Sequence, residues 1–527
     1  MMNQLTTDAL TLQKKKWSTP WYWILIGLVG LKFFIHLWSG NRYGFHRDEL
    51  LYIAQGDHLA FGYMEVPPIT AWMGRLARLL GGDSLLAIRV LTALAGMSIV
   101  LLSLQIVRKL TQKNSTVQVF AQVLVVACIL ASPALFRNHT LFQPVVFDQL
   151  FWLLTYYFLL CYILHPKPLH LLLVGAMAGL GMMAKYNMLF CGGGIVLAML
   201  LTPHRTLILN KWAWVALGIT LLVLLPNFIW QYTHDFPVLD HFKGLYKKQL
   251  QGSSATDFLW SQIRMHQYVT APIWLAGLLY FLKTTRLRWL GFAYLATLLL
   301  FLIARGQAYY FNGIYPLMFA GGAVFVAQFL EKIKFRRVFK PVIIVILLFF
   351  GMTLMPYGTP FLPIKKFIKY TQQTGVNTIK PLRTGRVANL SGDYADMFGW
   401  PKQVKIVADI YNQLSPQEQK QCIIWGENYG EAGALNHLGK SYGLPSAISV
   451  HGSFYLWGAG NPQATMAITV GLSKKDMEDL FEEVTLVQMF THPYAIDEEH
   501  NIPILICRKL KTPLTKKWKD WRKYVFS

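Results

Sequence analysis

The sequence predicts a mainly α-helical, polytopic transmembrane bundle of about eleven spans with a small C-terminal α/β domain outside the cytoplasm. Three observations predict it. Of 527 residues, 54% are hydrophobic and only 14% charged, against roughly 45–50% and about 25% in soluble proteins. The apolar residues fall in runs near the length of about 20 that a ~30 Å hydrocarbon core requires. The basic clusters between the runs fall in alternate loops, and so on one side of the membrane.

Hydropathy and flanking charge place the spans at about 17–39, 86–107, 117–136, 145–164, 169–184, 188–202, 212–230, 268–283, 288–304, 310–330 and 340–356. Lys14, Lys15 and Lys16 precede the first. That run is too long for a signal-peptide core and lacks a small-residue cleavage site, so it reads as a retained helix.

With the N-terminus inside, the inner loops collect Arg108, Lys109 and Lys113, then Lys167, Arg205 and Lys211, then Lys283, Arg286 and Arg288, and finally Lys332 to Lys340. This is the positive-inside bias. It puts the C-terminus outside and accounts for much of the net charge of +24. Excess cations of this kind attract anionic membrane lipid. Nucleic acid is not an expected partner, because no basic stretch carries the interleaved aromatics that stack on bases.

The acids lie on the other side. An outer loop of about 40–85 holds Asp48, Glu49, Asp57, Glu65 and Asp83, and a second, about 231–267, holds Asp235, Asp240, Asp257, His241 and His266. After Pro356 the composition turns polar. Residues 1–356 therefore read as the membrane domain and 357–527 as an extracytoplasmic domain. In the latter, Cys422–Trp425, Ala464–Val470 and Ile502–Cys507 resemble strands, and Glu431–Tyr442 resembles a helix. Cys128, Cys161 and Cys191 lie in apolar runs, and Cys422 and Cys507 could pair outside the cytoplasm. Asn138-His139-Thr140 and Asn389-Leu390-Ser391 fit the N-glycosylation triplet, a pattern that also arises by chance.

Four features could carry chemistry. Asp48-Glu49 follows the first span; such a carboxylate can act as a general base, or pair with Arg47 or cap a following helix. Glu65 precedes Pro67-Pro68, which stiffen the backbone around it; the alternative is a solvated turn. Asp148 sits among apolar residues at the outer end of the fourth span, where an acid is costly, unless it serves as a helix-start residue. Cations occur where the charge bias does not want them. Lys185 is followed by Tyr186, Arg305 precedes Tyr309 and Tyr310, and Arg264 and His266 precede the eighth span, with Arg137 in the turn before Asp148. Such groups bind phosphate or snorkel to headgroups. Glu65 and His266 could together hold a divalent ion, but two unlinked ligands do not define a metal site, and the chemistry demands no metal or other cofactor.

Asp48-Glu49, Glu65-Val66-Pro67-Pro68, Asp148 and Lys185, in this topology, resemble the membrane glycosyltransferases of the glycosyltransferase-C superfamily. The nearest branches are the protein O-mannosyltransferase-like enzymes and the bacterial lipid A aminoarabinose transferases. The resemblance covers most of residues 20–330. It implies a bacterial inner-membrane enzyme that takes a sugar from a polyprenyl-phosphate donor and attaches it, usually with inversion, to a lipid, glycan or protein acceptor outside the cytoplasm. It implies Asp48 as the catalytic acid, Glu49 as its support and Asp148 as a second catalytic-site acid. Glu65, Lys185 and Tyr309 or Tyr310 match substrate-binding positions, with Arg137, Tyr186, Arg264, His266 and Arg305 as further candidates.

One departure stands out. The aminoarabinose branch commonly has Lys between the Glu and the prolines; here it is Val66, so the lipid A acceptor does not carry over. Trp425 to Glu431 and His451 to Gly458 are similar to stretches in bacterial members, where Tyr, Trp and Asn near glycines could bind sugar or simply pack. A transporter or flippase for a lipid-linked sugar is the alternative reading, since intramembrane charges also mark transport paths. Acids gathered on one face and the absence of repeated halves weigh against it.

Overall fold

The computed structural model describes residues 20–111, 115–375, 390 and 392–523. The Lys14–Lys16 cluster, Lys113 and most of the 389–391 triplet lie outside these residues.

Each expected apolar segment coincides with a helix. Among the described residues, seven helices are long and apolar enough to cross a bilayer: Pro20–Ser39, Leu85–Thr111, Pro144–Leu164, Lys211–Thr233, Thr285–Ile303, Ala308–Glu331 and Arg336–Gly358. Two bent pairs raise the number to nine if each is one span, and Pro168–Ala184 and Tyr268–Lys283 are shorter apolar helices. Long helices, bent pairs and shorter apolar helices together occupy the eleven expected segments, of which seven to nine satisfy length and composition for a full span among the described residues.

One bend matters for the site. The expected 117–136 span breaks after Leu130, and the Pro133–Thr140 helix leaves at 74°. Pro133 cannot continue the preceding helix. It starts the next one instead, with the Ser132 hydroxyl accepting from the Leu135 N–H as a cap. The turn places Arg137 and Asn138 on the wall of a cavity shared with Asp48.

Packing is tight where small residues line up. A Cβ on Gly322 would lie 1.8 Å from the Ile273 carbonyl oxygen, and one on Gly277 would lie 2.1 Å from that of Met318. The Ala271–Lys283 and Tyr315–Glu331 helices therefore meet backbone to backbone, as membrane helices do where dispersion supplies the attraction.

The segment of about 40–85 contains two helices that hydropathy alone reads as loop, Arg47–Asp57 and Ile69–Gly81. Beyond the bundle lies a five-stranded sheet of order β2-β1-β3-β5-β4. Its strands are β1 Cys422–Gly426, β2 Ala447–Ile448, β3 Met466–Val470, β4 Phe481–Phe490 and β5 Ile502–Leu510. β1 pairs in parallel with β2 and β3, while β5 runs antiparallel to β3 and β4. β1, β3 and β5 match the expected strands. The expected helix is α-helical over Tyr429–Leu438 and tightens to a 3₁₀ turn over Gly439–Tyr442. Cys422 and Cys507 do not pair: both are buried free thiols, on strands separated by β3.

The Tyr429–Leu438 helix fastens the sheet to the bundle. It lies against the Arg47–Asp57 helix so closely that a Cβ on Gly433 would meet Leu50 at 3.0 Å, and one on Gly430 would meet Arg47 Cγ at 2.6 Å. Further links surround this contact. His58 stacks on Trp457 with centroids 4.1 Å apart, and Lys440 pairs with Asp57 at 3.1 Å.

Candidate active site

His46 and Glu49 make a reciprocal cap at the start of the Arg47–Asp57 helix. The Asp48 N–H donates to His46 Nδ1 at 3.1 Å, and the His46 N–H donates to Glu49 at 2.8 Å. The adjacent acids therefore enter different surroundings. Glu49 points into the protein with no solvent exposure. It receives two hydrogen bonds from the Arg89 guanidinium, at 2.9 and 2.8 Å, and one from the Phe142 N–H at 2.9 Å. Arg89 in turn donates to the carbonyls of Arg42 and Gly44. This is a two-point, fully satisfied buried ion pair. Glu49, named with Asp48 as a site acid and expected as its support, holds the fold with its oxygens and does not line the cavity.

Asp48 faces the other way, into a cavity of about 870 Å³ lined by bundle residues together with Asp393, Asp396 and Tyr429. Both its oxygens are held. Gln143 Nε2 donates to Oδ2 at 2.9 Å, and the Tyr429 hydroxyl donates to Oδ1 at 2.9 Å. Gln143 also accepts from Arg137 Nη1 at 3.1 Å, and Arg137 grips Asp393 through two bonds of 2.6 and 2.7 Å. Burial opposes ionisation of Asp393, and the Arg137 guanidinium overrides it, holding that carboxyl at about 2. Asp396 is pushed the opposite way by burial, against the pull of Arg47 and His46.

The cations lie across the cavity. Lys185, at the end of the Pro168–Ala184 helix, sits 3.5 Å over the Tyr310 ring and 5.1 Å over Tyr309. Asp148 lies behind it. Asp148 is buried, accepts from Asn187 Nδ2 at 2.9 Å, and interacts electrostatically with Lys185. It is not among the cavity-lining residues, so its geometry is that of a support. Arg137, Lys185, Tyr186, Tyr309 and Tyr310 all line the cavity, and the Tyr186 hydroxyl is tied to Asn227 at 2.8 Å.

Glu65 also lines the cavity, but its oxygens are occupied. Ser453 donates its N–H and its hydroxyl, and Gln55 donates its amide. Burial raises the Glu65 carboxyl above its ordinary range, with these bonds acting against that rise. Val66 lines the cavity as well, so the position between Glu65 and the prolines is apolar there.

Three expected substrate-binding residues lie elsewhere. Arg264 is exposed and reaches Ser261 at 3.3 Å. Arg305 is exposed and donates to the Gln251 carbonyl at 2.7 Å. His266 is buried, with one ring nitrogen bonded to Ser132 and the other to Asn312, and its ring rests 3.8 Å from that of Tyr315. None of the three lines the cavity. His266 and Glu65 thus have their ligating atoms engaged within the protein. Among the described residues no group of three or more His, Cys, Asp or Glu is arranged to hold a metal ion.

Other cavity residues carried no signal in the sequence beyond their polarity. Gln143, Asn187 and Asn312 line it, as does Asn138 of the first glycosylation triplet, now buried. The amide nitrogens of Asn138 and Asn312 have no protein acceptor, which leaves donors available to a polar ligand.

Residues 65–230 match the family model described as dolichyl-phosphate-mannose-protein mannosyltransferase. Among solved structures, the chain is similar to ArnT from Cupriavidus metallidurans bound to undecaprenyl phosphate. The TM-score is 0.58 at 14% identity, covering 93% of this chain and 98% of that one. The apo state of the same protein gives 0.57 at 15%, with the same coverage. No curated protein matches the chain. At such identities the likeness shows the fold. The shared fold and the mannosyltransferase match over residues 65–230 agree with the resemblance read from the motifs.

Proposed function

We propose that the protein transfers a hexose or pentose, with inversion, from a polyprenyl-phosphate carrier to an acceptor hydroxyl at the non-cytoplasmic face of a bacterial inner membrane. One observation carries this reading: a single cavity holds the Asp48 carboxylate and, facing it, the cations of Arg137 and Lys185 with Tyr309 and Tyr310. The undecaprenyl phosphate bound by ArnT is a donor-side molecule of the same chemical class.

In this scheme the acceptor hydroxyl attacks the anomeric carbon. Its proton passes to Asp48, and the bond from the anomeric carbon to the phosphate oxygen breaks. The electrons leave with polyprenyl phosphate, whose charge Lys185 and Arg137 stabilise as it forms. General-base assistance of this kind contributes about 10²–10⁴-fold. Asp148 acts indirectly by holding Lys185 and Asn187. The scheme uses side chains alone. The basic inner loops support an N-terminus in the cytoplasm, residues 1–356 as the membrane domain and 357–527 as the domain outside. Acceptor specificity belongs to the Asp393, Asp396 and His46 side of the cavity, where polar groups suit a lipid, glycan or protein hydroxyl.

The test is reconstitution of purified protein in vesicles with radiolabelled undecaprenyl-phosphate-linked sugars and a lipid extract of the source membrane. A new glycosidic product with free undecaprenyl phosphate supports transfer. Labelled donor moved unchanged to the other leaflet supports transport instead.

A further inference from the structure

The two oxygens of Asp48 are held from opposite parts of the chain. Gln143, at the start of the Pro144–Leu164 helix, holds Oδ2 from the membrane side. Tyr429, 381 residues away in sequence, holds Oδ1 from the outer domain. Tyr429 is the first residue of its helix, whose Asn428 cap accepts from the Gly430 and Glu431 N–H groups. The ring is buried, lies 5.3 Å from that of His451, and has the Arg47 guanidinium 5.8 Å over its face. The glycines at 430 and 433 permit the close approach that brings it there.

We infer that Tyr429 is a positioning residue for sugar transfer, fixing the plane of the Asp48 carboxylate so that the outer domain completes the active site. This rests on the reading of Asp48 as the base. The terminal torsion of an Asp side chain is broad and roughly two-fold, so one donor would leave the carboxylate free to turn. Two donors from two bodies of the protein define its plane. Each oxygen retains a second acceptor direction, which leaves a lone pair for the incoming hydroxyl. A buried phenol needs a partner; this one uses the residue on which the chemistry turns. The outer domain is then more than a lid on the bundle, because undocking it would release one oxygen of the base.

The experiment compares wild type, Tyr429→Phe and Asp48→Asn in full-length protein, using undecaprenyl-phosphate-linked sugars and source-membrane lipid as acceptor. Tyr429→Phe retains the ring and its contacts with His451 and Arg47. We expect kcat to fall by about ten- to a hundredfold, the range for a misaligned reacting group, with a smaller change in donor KM. Loss of a donor to an ionised carboxylate favours its protonation, so the acidic limb of the pH–rate profile moves to higher pH. The other groups facing Asp48 are Tyr52, Arg137, Lys185, Tyr309, Tyr310 and Asp396; all remain in the variant.

Wild-type kcat with an unmoved limb in Tyr429→Phe overturns the inference, while an active Asp48→Asn overturns the functional reading beneath it. Should Tyr429→Phe fail to fold, difluorotyrosine at 429 keeps the shape and strengthens the donor. The limb should then move to lower pH, and an unmoved limb again overturns the inference.

Discussion

Ser453 holds Glu65 with two hydrogen bonds from one residue, 2.6 Å from its backbone N–H and 2.5 Å from its hydroxyl. The partners are 388 residues apart, one in the outer domain and one in the loop after the first span. Gln55 adds a third bond. A buried carboxylate so enclosed joins two parts of the structure and leaves little capacity for a ligand.

Removing one of these donors leaves buried acceptor capacity unmet, at a cost of about 1–3 kcal/mol. Ser453→Ala should lower the melting temperature of the detergent-solubilised protein and increase proteolysis between bundle and outer domain. Turnover at low temperature should persist in the folded fraction. Equal loss of turnover at all temperatures would return Glu65 to the chemistry.

Glu49 and Arg89 make the opposite case to Asp48. Arg89→Ala strands a buried charge, and such losses cost about 3–5 kcal/mol. The variant should scarcely accumulate in the membrane. Arg89→Met with Glu49→Leu removes both charges and should recover part of the yield, because an apolar pair of similar volume can replace a buried ion pair. Expression and size-exclusion profiles decide it.

The division between these neighbours shows how far the sequence was legible. The Asp48-Glu49 pair, the stiffened Glu65 and the charges at 137, 148 and 185 stood out because charge is rare in this chain, and all lie in or against one region. Which acid faced the cavity depended on a cap made by His46 and on Arg89, an arginine inside an apparent span that no local pattern distinguishes. Arg264 and Arg305 carried the same signal as Lys185, since a cation at an outer helix tip snorkels or binds ligand with equal ease. Tyr429 lay in a stretch noted for possible sugar contact or packing, and its bond to Asp48 is a long-range fact. The sheet was partly visible: β1 and β3 are wholly buried runs. β4 was not, because it is an edge strand with Glu482 and Glu483 exposed, a bulge near Leu486, and little burial to impose a pattern.

Lys185 should matter most to the departing phosphate. Lys185→Met removes a donor to developing charge, an effect of about 10²–10³-fold in kcat. Asp148→Asn should produce a smaller loss, since it loosens Lys185 without removing it. Steady-state release of undecaprenyl phosphate gives both numbers, and a larger effect for Asp148→Asn would place Asp148 in direct contact with the reacting groups.

The outer domain carries its own pH dependence. Burial raises Glu499 from an ordinary 4.5 to about 7, against the pull of Arg47 and hydrogen bonds from Asn428 and Gln403. Burial, together with the charges of Glu499 and Glu427, raises Glu431 well above its usual range. The folded state therefore binds protons more tightly than the unfolded state between about 4.5 and 7. The contribution from Glu499 is fully present below the lower value and is lost as pH rises through the upper one. Melting temperature should fall from pH 5 to pH 8, and Glu499→Gln should flatten that slope. A melting curve independent of pH in wild type would contradict this.

Sugar transfer as proposed needs Asp48 to remove the acceptor proton in a cavity that also holds the donor phosphate. The most direct measurement follows binding and release of undecaprenyl phosphate together in Asp48→Asn. The variant should insert in the membrane and bind undecaprenyl phosphate as wild type does, yet release it from the sugar-linked donor about 10²–10⁴-fold more slowly. Release at the wild-type rate would contradict it.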